Sequence, residues 1–356
     1  MKTEIMTEKW NKRPLIISGP CSAETEEQVI KTAQQLAATG KVDMLRAGIW
    51  KPRTKPGMFE GVGTKGLPWL LTAKKATGLP TTVEVATAKH VQDALQFDVD
   101  VLWIGARTTV NPFSVQEVAD ALKGVDIPVL IKNPINPDLE LWSGAIERIQ
   151  KAGIKNIGMI HRGFSSYGNT EYRNAPMWHL PIEMKRRFPG MMLICDPSHI
   201  CGRRDILQEV AQTSINLDFD GLMIESHIDP TNAWSDAAQQ VTPQHLFEML
   251  NALLWRFEET NQQEFVTALA KLREQINQLD DELLTILSQR MKLADKIGAY
   301  KKNNNITILQ TNRWNEILTK AYMKGDKLGL SREFLTKYFD AVHMESISHQ
   351  QNVMNH

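Results

Sequence analysis

Cationic side chains follow short apolar runs in the first part of this 356-residue chain. Six of them stand at or soon after the ends of four such runs: Arg46, Lys51, Arg53, Arg107, Lys132 and Arg162. One cation in such a place is usually a solvated loop charge. A set at the ends of several runs is instead expected to converge on one mouth, the opening of a binding cavity. Six cations there would repel one another unless anions filled the space. The pattern therefore predicts multiply charged substrates, and phosphates with carboxylates suit these side chains.

A second set of run-end residues carries metal-ligand chemistry. It comprises Cys21, His199, Glu225 and Asp236. Taken singly, the cysteine would be a small core residue and the histidine a hydrogen-bonded one. Their common position after apolar runs favours a divalent metal, and thiolate, imidazole and carboxylate together suit Mn, Fe, Co or Zn. The other two cysteines, Cys195 and Cys201, are interpreted as structural.

The elements that must position both sets are eight apolar runs that alternate with amphipathic stretches. The runs are 15–18, 42–45, 82–85, 101–104, 129–131, 157–160, 191–194 and 221–224. Repeated strand–helix units with continuous apolar strands indicate a parallel sheet covered on its faces. Eight units predict an α/β fold, the (β/α)8 barrel, in which the strand ends share the catalytic face. A doubly wound sheet is the alternative, although no GxGxxG opens a helix after the first strand.

The last third of the chain has a different, helical pattern. Apolar residues recur at three- and four-residue spacing across 264–302, which predicts one helix about 58 Å long. Two shorter helices, roughly 313–327 and 331–350, would leave part of this stripe uncovered. We therefore expect a homodimer through the helical tail. The predicted domains are a barrel over 1–258, whose last helix covers 244–257, a linker over 259–263 and an all-α domain over 264–356.

Composition excludes several classes of protein. Lys plus Arg equals Asp plus Glu at 41 each, so no overall field favours nucleic acid or an anionic membrane. The N-terminus lacks an apolar signal region and no run approaches ~18 apolar residues. Three cysteines do not make a disulfide scaffold. The sequence predicts a cytoplasmic protein with neither a nucleic-acid nor a membrane partner.

Six motifs near the strand ends carry a family resemblance. In chain order they are GPCS, LRAGIWKPRT, IGAR, VLIKN, DPSH and IESH. They resemble the type I 3-deoxy-D-arabino-heptulosonate-7-phosphate synthases, in the subgroup that shares ancestry with the 3-deoxy-D-manno-octulosonate-8-phosphate synthases. The match covers roughly 14–258, and KPRT favours the heptulosonate enzymes. The resemblance implies condensation of phosphoenolpyruvate with erythrose 4-phosphate and release of inorganic phosphate.

The resemblance also implies where phosphoenolpyruvate binds. Arg46 and Lys51 would hold its carboxylate. Its phosphate would be held by Arg107, Lys132 and Arg162. Proton transfer is expected to involve Lys132 or Lys51, and the sequence does not identify which.

The other matched positions concern the second substrate and the metal. Arg53 and Thr54 would bind the phosphate of erythrose 4-phosphate. The resemblance implies the same four ligands for the divalent metal as the residue types do: Cys21, His199, Glu225 and Asp236. The metal would polarise the aldehyde so that the weakly nucleophilic enol carbon can attack it.

In the tail, LREQINQLDDELLTILSQR resembles the opening helix of the all-helical chorismate mutases, which rearrange chorismate to prephenate. The residues in register with that family's binding residues are Arg273, Arg290, Lys301, Arg313, Ser346 and Gln350. The family implies arginines for the two carboxylates, with Arg273 crossing from the partner chain, and Lys301 with Gln350 for the ether oxygen. Two residues depart from the family, Gln310 where several members have an acid and Trp314 where a glutamate is usual. They leave the contact to the substrate hydroxyl open.

The fusion of the two segments suggests regulation. The barrel is expected to begin within about fourteen residues of the start without an N-terminal regulatory domain. We therefore expect the tail to act as a second enzyme and as a sensor through which prephenate or chorismate inhibits the synthase. The alternative is an octulosonate-type sugar-phosphate synthase with a non-catalytic helical dimerisation tail.

Overall fold

The computed structural model describes residues 10–53, 55–168, 171–256 and 262–355. The chain divides into two compact units, Met1–Glu258 and Glu259–His356. No helix among the described residues is both long enough and apolar enough to cross a lipid bilayer.

The first unit is a closed barrel of eight parallel strands in chain order. The strands are β1 (Leu15–Gly19), β2 (Met44–Arg46), β3 (Thr81–Val85), β4 (Val101–Ile104), β5 (Val129–Lys132), β6 (Ile157–His161), β7 (Met192–Cys195) and β8 (Gly221–Glu225). β1 pairs with β8 from Leu15↔Gly221 to Gly19↔Glu225, which closes the sheet. The predicted (β/α)8 barrel is confirmed, and the doubly wound alternative is wrong.

Helices connect and cover these strands. They are α1 (Glu26–Ala38), α2 (Gly66–Thr77), α3 (Ala88–Gln96), α4 (Ala106–Thr109), α5 (Pro112–Ala121), α6 (Leu139–Lys151), α7 (His179–Arg187), α8 (Pro197–Cys201), α9 (Leu207–Asn216) and α10 (Pro243–Ala252). Several begin at a polar residue whose side chain accepts a hydrogen bond from a free backbone N–H of the first turn, as Thr25 does for α1 and Asp138 for α6.

The last barrel helix ends earlier than the predicted 244–257. α10 stops at Ala252, and Leu253 adopts an extended conformation. The Gln212 side chain then accepts a hydrogen bond from Leu254 N–H and donates one to Leu254 O. These two bonds satisfy backbone groups that a continued helix would have used itself.

The strands separate two apolar cores because successive side chains point to opposite faces. In β1, Leu15 and Ile17 point into the barrel, while Ile16 packs outward. The inner core is small, and the outer core under the helices is the larger one. The inner side chains fill the barrel, so a ligand has room only above their last layer.

The second unit contains the three predicted helices. They are α11 (Gln263–Asn303), α12 (Thr311–Leu328) and α13 (Arg332–Asn355). α11 and α13 approach closely at Gly298, where an added Cβ would lie 3.0 Å from Gln350 Cα. Much of the apolar stripe of α11 stays exposed within the chain, including Leu272, Ile276 and Leu279, each more than half exposed.

Candidate active sites

Strand periodicity places the charged groups of the barrel. In five strands a charged residue stands two positions after the last apolar residue that points into the barrel. These pairs are Met44 and Arg46, Leu130 and Lys132, Ile160 and Arg162, Ile194 and Asp196, and Met223 and Glu225. A two-residue step keeps the side chain on the same face, so all five charged residues lie directly above the inner core.

Two of these five residues, Lys132 and Arg162, line a cavity of about 250 Å³ at the carboxyl ends of the strands. Its cationic lining residues are Lys51, Arg53, Arg107, Lys132, Arg162 and Arg173. Glu84, Asp236 and His199 also line it. Five of the six predicted cations therefore meet at one mouth.

The sixth predicted cation, Arg46, lies deeper. It is only 2% exposed, and its Nη2 lies 3.2 Å from Glu225 Oε1, itself fully buried. Burial alone would lower the pKa of Arg46, but the carboxylates of Glu225 and Asp196 raise it above its usual value. Arg46 is therefore a permanent cation next to a predicted metal ligand.

Lys132 and Asp196 form a second buried pair, with Nζ 2.7 Å from Oδ2. Burial lowers the pKa of Lys132 even though Asp196 opposes the shift. Burial would raise the pKa of Asp196, yet His199 and Lys132 hold it well below its usual value. The carboxylate is thus charged, and the ammonium gives up its proton more readily than an exposed lysine does.

Trp103 organises these cations from within the barrel. Its buried ring lies 5.1 Å from Arg46 Cζ and 5.8 Å from Lys132 Nζ, measured to the ring centroid. Its Nε1 donates a 3.1 Å hydrogen bond to Glu84 Oε2. An aromatic face attracts cations where water is excluded, so Trp103 helps to keep two like charges at the same site.

Arg162 has a different environment. It is buried, and its Nη1 donates to Asn174 Oδ1 at 2.7 Å and, more weakly, to Gly163 O. Among the described residues, no carboxylate lies within salt-bridge distance of it. Burial lowers the pKa of Arg162 to about 10. A desolvated guanidinium held only by neutral acceptors is suited to an anionic ligand.

The predicted metal ligands occur as two pairs. Cys21 Sγ lies 3.2 Å from Asp236 Oδ2, and His199 Nε2 lies 3.7 Å from Glu225 Oε1. No group of three His, Cys, Asp or Glu side chains within the described ranges converges closely enough to hold an ion. The protein's own cations contact these groups instead: Lys51 Nζ lies 2.8 Å from Cys21 Sγ.

The surroundings of the four donors nevertheless suit a divalent cation. Glu225 Oε1 is buried and accepts no hydrogen bond from the described residues, although Arg46 Nη2 lies 3.2 Å from it. His199 Nδ1 lies 2.8 Å from Asp196 Oδ2, which leaves Nε2 to face Glu225, and metal-binding histidines are commonly oriented by such a carboxylate. Burial, followed by the charge of Glu225, raises the pKa of the Cys21 thiol to about 12, so a metal that binds Cys21 must displace the thiol proton.

In the second unit, the predicted mutase residues gather around the contact of α11 with α13. Arg290 donates to Ser346 Oγ and to Val342 O. Lys301 Nζ donates to Ile308 O at 2.5 Å, and Gln350 Nε2 donates to Ser346 O at 3.2 Å. Ser346 and Gln350 are 6% and 8% exposed, so these polar side chains are buried where α11 packs against α13.

Two predicted mutase residues lie away from this contact within one chain. Arg273 is exposed on α11 seventeen residues before Arg290, about 25 Å along the helix. Arg313 is exposed at the start of α12, where it pairs with Glu316 at 2.8 Å.

Comparison with known proteins decides the family. The sequence model of the DAHP synthetase I family matches residues 3–263. The chain belongs to the DAHP synthetase I family. The model of type II chorismate mutases matches residues 272–351, so this DAHP synthase carries a chorismate mutase domain at its C-terminal side. Both domains are enzyme domains, a transferase and an isomerase.

Individual relatives agree with this assignment. A phospho-2-dehydro-3-deoxyheptonate aldolase of Thermotoga maritima is 30% identical over 239 residues, 67% of each chain. A crystal structure of a T. maritima DAHP synthase matches with a TM-score of 0.61, at 29% identity over 68% of each chain. A 2-dehydro-3-deoxyphosphooctonate aldolase of Caulobacter vibrioides is 28% identical, covering 68% of this chain and 87% of that one.

The sequence did not point to every residue of the DAHP synthase cavity. Arg173 lies twelve positions after β6 ends at His161, yet its Nη1 donates to Asp236 Oδ1 at 2.8 Å and to Gln239 Oε1 at 2.6 Å. Asn174, which holds Arg162, comes from the same loop. No periodic signal marks a loop residue so far from a strand end. Thr54, predicted to bind the erythrose phosphate, lies outside the described residues.

Proposed function

We propose that the barrel condenses phosphoenolpyruvate with erythrose 4-phosphate to give 3-deoxy-D-arabino-heptulosonate 7-phosphate and inorganic phosphate. The observation that carries this proposal is the convergence of six cationic side chains on one cavity of about 250 Å³. Two phosphorylated anions would neutralise such a site. With no ligand or a neutral ligand, the cationic side chains would repel one another. Family membership gives the reaction class.

Phosphoenolpyruvate is assigned to five of the six predicted cations. Arg107, Lys132 and Arg162 line the cavity together and suit its phosphate. Arg46 and Lys51 are proposed for its carboxylate. Because these charges are fixed before the substrates bind, they lower the entropic cost of bringing two anions together.

Erythrose 4-phosphate is assigned to the remaining predicted cation, Arg53. Arg53 lines the cavity and donates to Phe59 O, which holds its guanidinium at the mouth. It also lies 3.3 Å from Asp236 Oδ2. We assign the sugar phosphate to Arg53 together with Thr54.

Cys21, His199, Glu225 and Asp236 are proposed to hold a divalent metal (Mn, Fe, Co or Zn). When bound, the metal supplies Lewis-acid polarisation of the aldehyde. Lys51 Nζ, 2.8 Å from Cys21 Sγ, stabilises the thiolate that the ligand role needs.

Lys132 is proposed as the proton donor during the condensation. The enol carbon attacks the aldehyde carbon, water adds at the carbon that bears the phosphate, and the C–O bond to phosphate breaks. Burial lowers the pKa of Lys132, and the ion pair with Asp196 fixes its Nζ at the cavity wall. A lysine with a lowered pKa is a better general acid near neutral pH than an ordinary one.

The second unit is proposed to rearrange chorismate to prephenate. This unimolecular reaction needs a site that holds the folded dicarboxylate and stabilises negative charge on the ether oxygen. Arg290 and Arg313 suit the carboxylates, Ser346 keeps Arg290 in place, and Lys301 with Gln350 suits the ether oxygen.

A homodimer through the tail would complete this site. Arg273 lies about 25 Å along α11 from Arg290, too far for both to contact one small molecule in one chain. An antiparallel or crossed pairing of two α11 helices would bring the partner's arginine to the site. It would also cover the exposed stripe that contains Leu272, Ile276 and Leu279.

Feedback inhibition is the proposed reason for the fusion. Prephenate or chorismate bound to the mutase site would lower synthase activity through the joined chain. A chain ending at residue 258 should remain an active synthase that prephenate no longer inhibits. If that truncated chain is inhibited as strongly as the full chain, or the full chain never responds, the regulatory role is excluded.

Two assays separate the proposed activities from their alternatives. Phosphate release with erythrose 4-phosphate, and little with arabinose 5-phosphate, supports the heptulosonate reaction; the reverse preference supports an octulosonate-type synthase. For the tail, Arg290→Ala should abolish chorismate consumption and leave the dimer mass unchanged. A wild-type chain that dimerises but consumes no chorismate would establish a purely structural tail.

A further inference from the structure

A polar stripe on α13 extends beyond the residues assigned so far. His343, Ser346 and Gln350 stand at positions i, i+3 and i+7 of this helix, so their side chains share one face. That face packs on α11, where Ser346 Oγ accepts from Arg290. His343 directly follows Val342, whose carbonyl also accepts from Arg290.

Two buried polar atoms on this stripe have no hydrogen-bond partner among the residues that the structure describes. They are His343 Nε2 and Gln350 Oε1, and they are the only such side-chain atoms within 262–355. Buried polar atoms are normally paired, so two orphans on one helix face next to Arg290 indicate a polar ligand between them.

The imidazole is held in a defined position. Its ring stacks on that of Trp314, with centroids 4.2 Å apart and an interplanar angle of 19°. Trp314 is the residue that replaces the glutamate usual in the mutases. The stack joins α12 to α13 and fixes where Nε2 lies.

The ring is also held neutral. Burial lowers the pKa of His343, and the charges of Arg290 and Lys301 lower it further against the opposing charge of Asp340. A neutral imidazole accepts or donates one hydrogen bond through Nε2 without adding charge. That chemistry suits a neutral hydroxyl better than a carboxylate.

We infer that His343 is a further substrate-binding residue of the mutase site and that its Nε2 hydrogen-bonds the ring hydroxyl of chorismate. This inference rests on the proposed mutase function. The arginines account for the carboxylates and Lys301 with Gln350 for the ether oxygen, which leaves the hydroxyl as the one polar group without a partner. The Trp314–His343 stack takes the place of the missing glutamate.

The test compares chorismate with an analogue that lacks the ring hydroxyl, using the full-length chain. His343→Phe keeps a ring to stack on Trp314 and removes the nitrogen. It should lower kcat/KM for chorismate about tenfold or more and leave kcat/KM for the deoxy analogue unchanged. His343→Gln, which restores a polar atom at similar reach, should recover part of the loss.

His349→Phe is the matched control, because His349 lies on the same helix and pairs with Asp295 outside this stripe. It should leave both kcat/KM values near those of the wild type. If His343→Phe is as active as the wild type and discriminates equally between the two compounds, the inference is wrong while the mutase assignment stands. If the wild-type chain consumes no chorismate, the mutase assignment and the inference fail together.

Discussion

Lys132 and Asp196 form an ion pair in the wall of the synthase cavity, with 2.7 Å between Nζ and Oδ2 and both side chains buried. Lys132 is the last residue of β5, and Asp196 directly follows the last residue of β7. Burying two charges is costly unless they remain together. The pair therefore links the stability of the barrel to the charge pattern of its site.

Asp196→Asn tests this link. The variant leaves the Lys132 cation buried without its partner, and the free energy of unfolding of the barrel should fall by about 3–5 kcal/mol. Urea unfolding followed by tryptophan fluorescence measures it, because Trp314 is the only one of the nine tryptophans beyond residue 258. Asp205→Asn is the control: the Arg203–Asp205 pair is more than half exposed, and its loss should cost at most about 1 kcal/mol. Equal losses in both variants would contradict the prediction.

His161 predicts how the stability of the barrel depends on pH. It is fully buried among the rings of Phe164, Trp178 and Phe219, and burial lowers its pKa from 6.5 to about 3. Between these two values the unfolded chain binds a proton that the folded chain does not. The free energy of unfolding is therefore unaffected by His161 above pH 6.5 and decreases as the pH falls from 6.5 towards 3.

His161→Phe removes this proton and keeps an aromatic ring in place. The difference in unfolding free energy between pH 7.5 and pH 4.5 should shrink by about 2–3 kcal/mol relative to the wild type. His179→Phe, at an exposed position of α7, should leave the difference unchanged. An undiminished pH difference in His161→Phe would show that another group causes it.

Substitution of Cys21 and of Cys201 distinguishes a metal-ligand role from ordinary packing of a buried thiol. Cys21→Ala should abolish both the condensation and the binding of a divalent metal, measured by elemental analysis of the purified protein, and should spare chorismate consumption. Cys201 is 2% exposed in the outer core, and Cys201→Ala should retain the metal. Treatment with a chelator should reproduce the effect of Cys21→Ala. Loss of both activities in Cys21→Ala would mean that the two sites are not independent.

Leu279 tests the dimer. Leu279→Lys places a charge in the exposed stripe of α11 and should convert a dimer to monomers, as measured by light scattering. Leu328→Lys is the control, since Leu328 at the end of α12 is 63% exposed, the same fraction as Leu279. A dimer that persists in Leu279→Lys and dissociates in Leu328→Lys would place the interface elsewhere.

The sequence by itself determined the strands, the three tail helices and the charged residues at the strand ends. Strand side chains alternate with a period of two, so the last inward apolar residue in a strand already fixes which later residue points to the inside of the barrel. Arg46, Lys132 and Glu225 follow this rule, and helices such as α3 begin at a polar cap visible in the sequence. Local geometry was enough for these features.

Only the tertiary structure decided which charges pair and how deeply they lie. Closure of the barrel brings Arg46 against Glu225 and carries Arg173 to Asp236. It also places the Trp103 ring near both Arg46 and Lys132. In the tail, helix packing buries His343 Nε2 and Gln350 Oε1 with no hydrogen-bond partner in the described part of the chain. Such contacts join residues far apart in the chain, and their energies depend on burial, which no local pattern encodes.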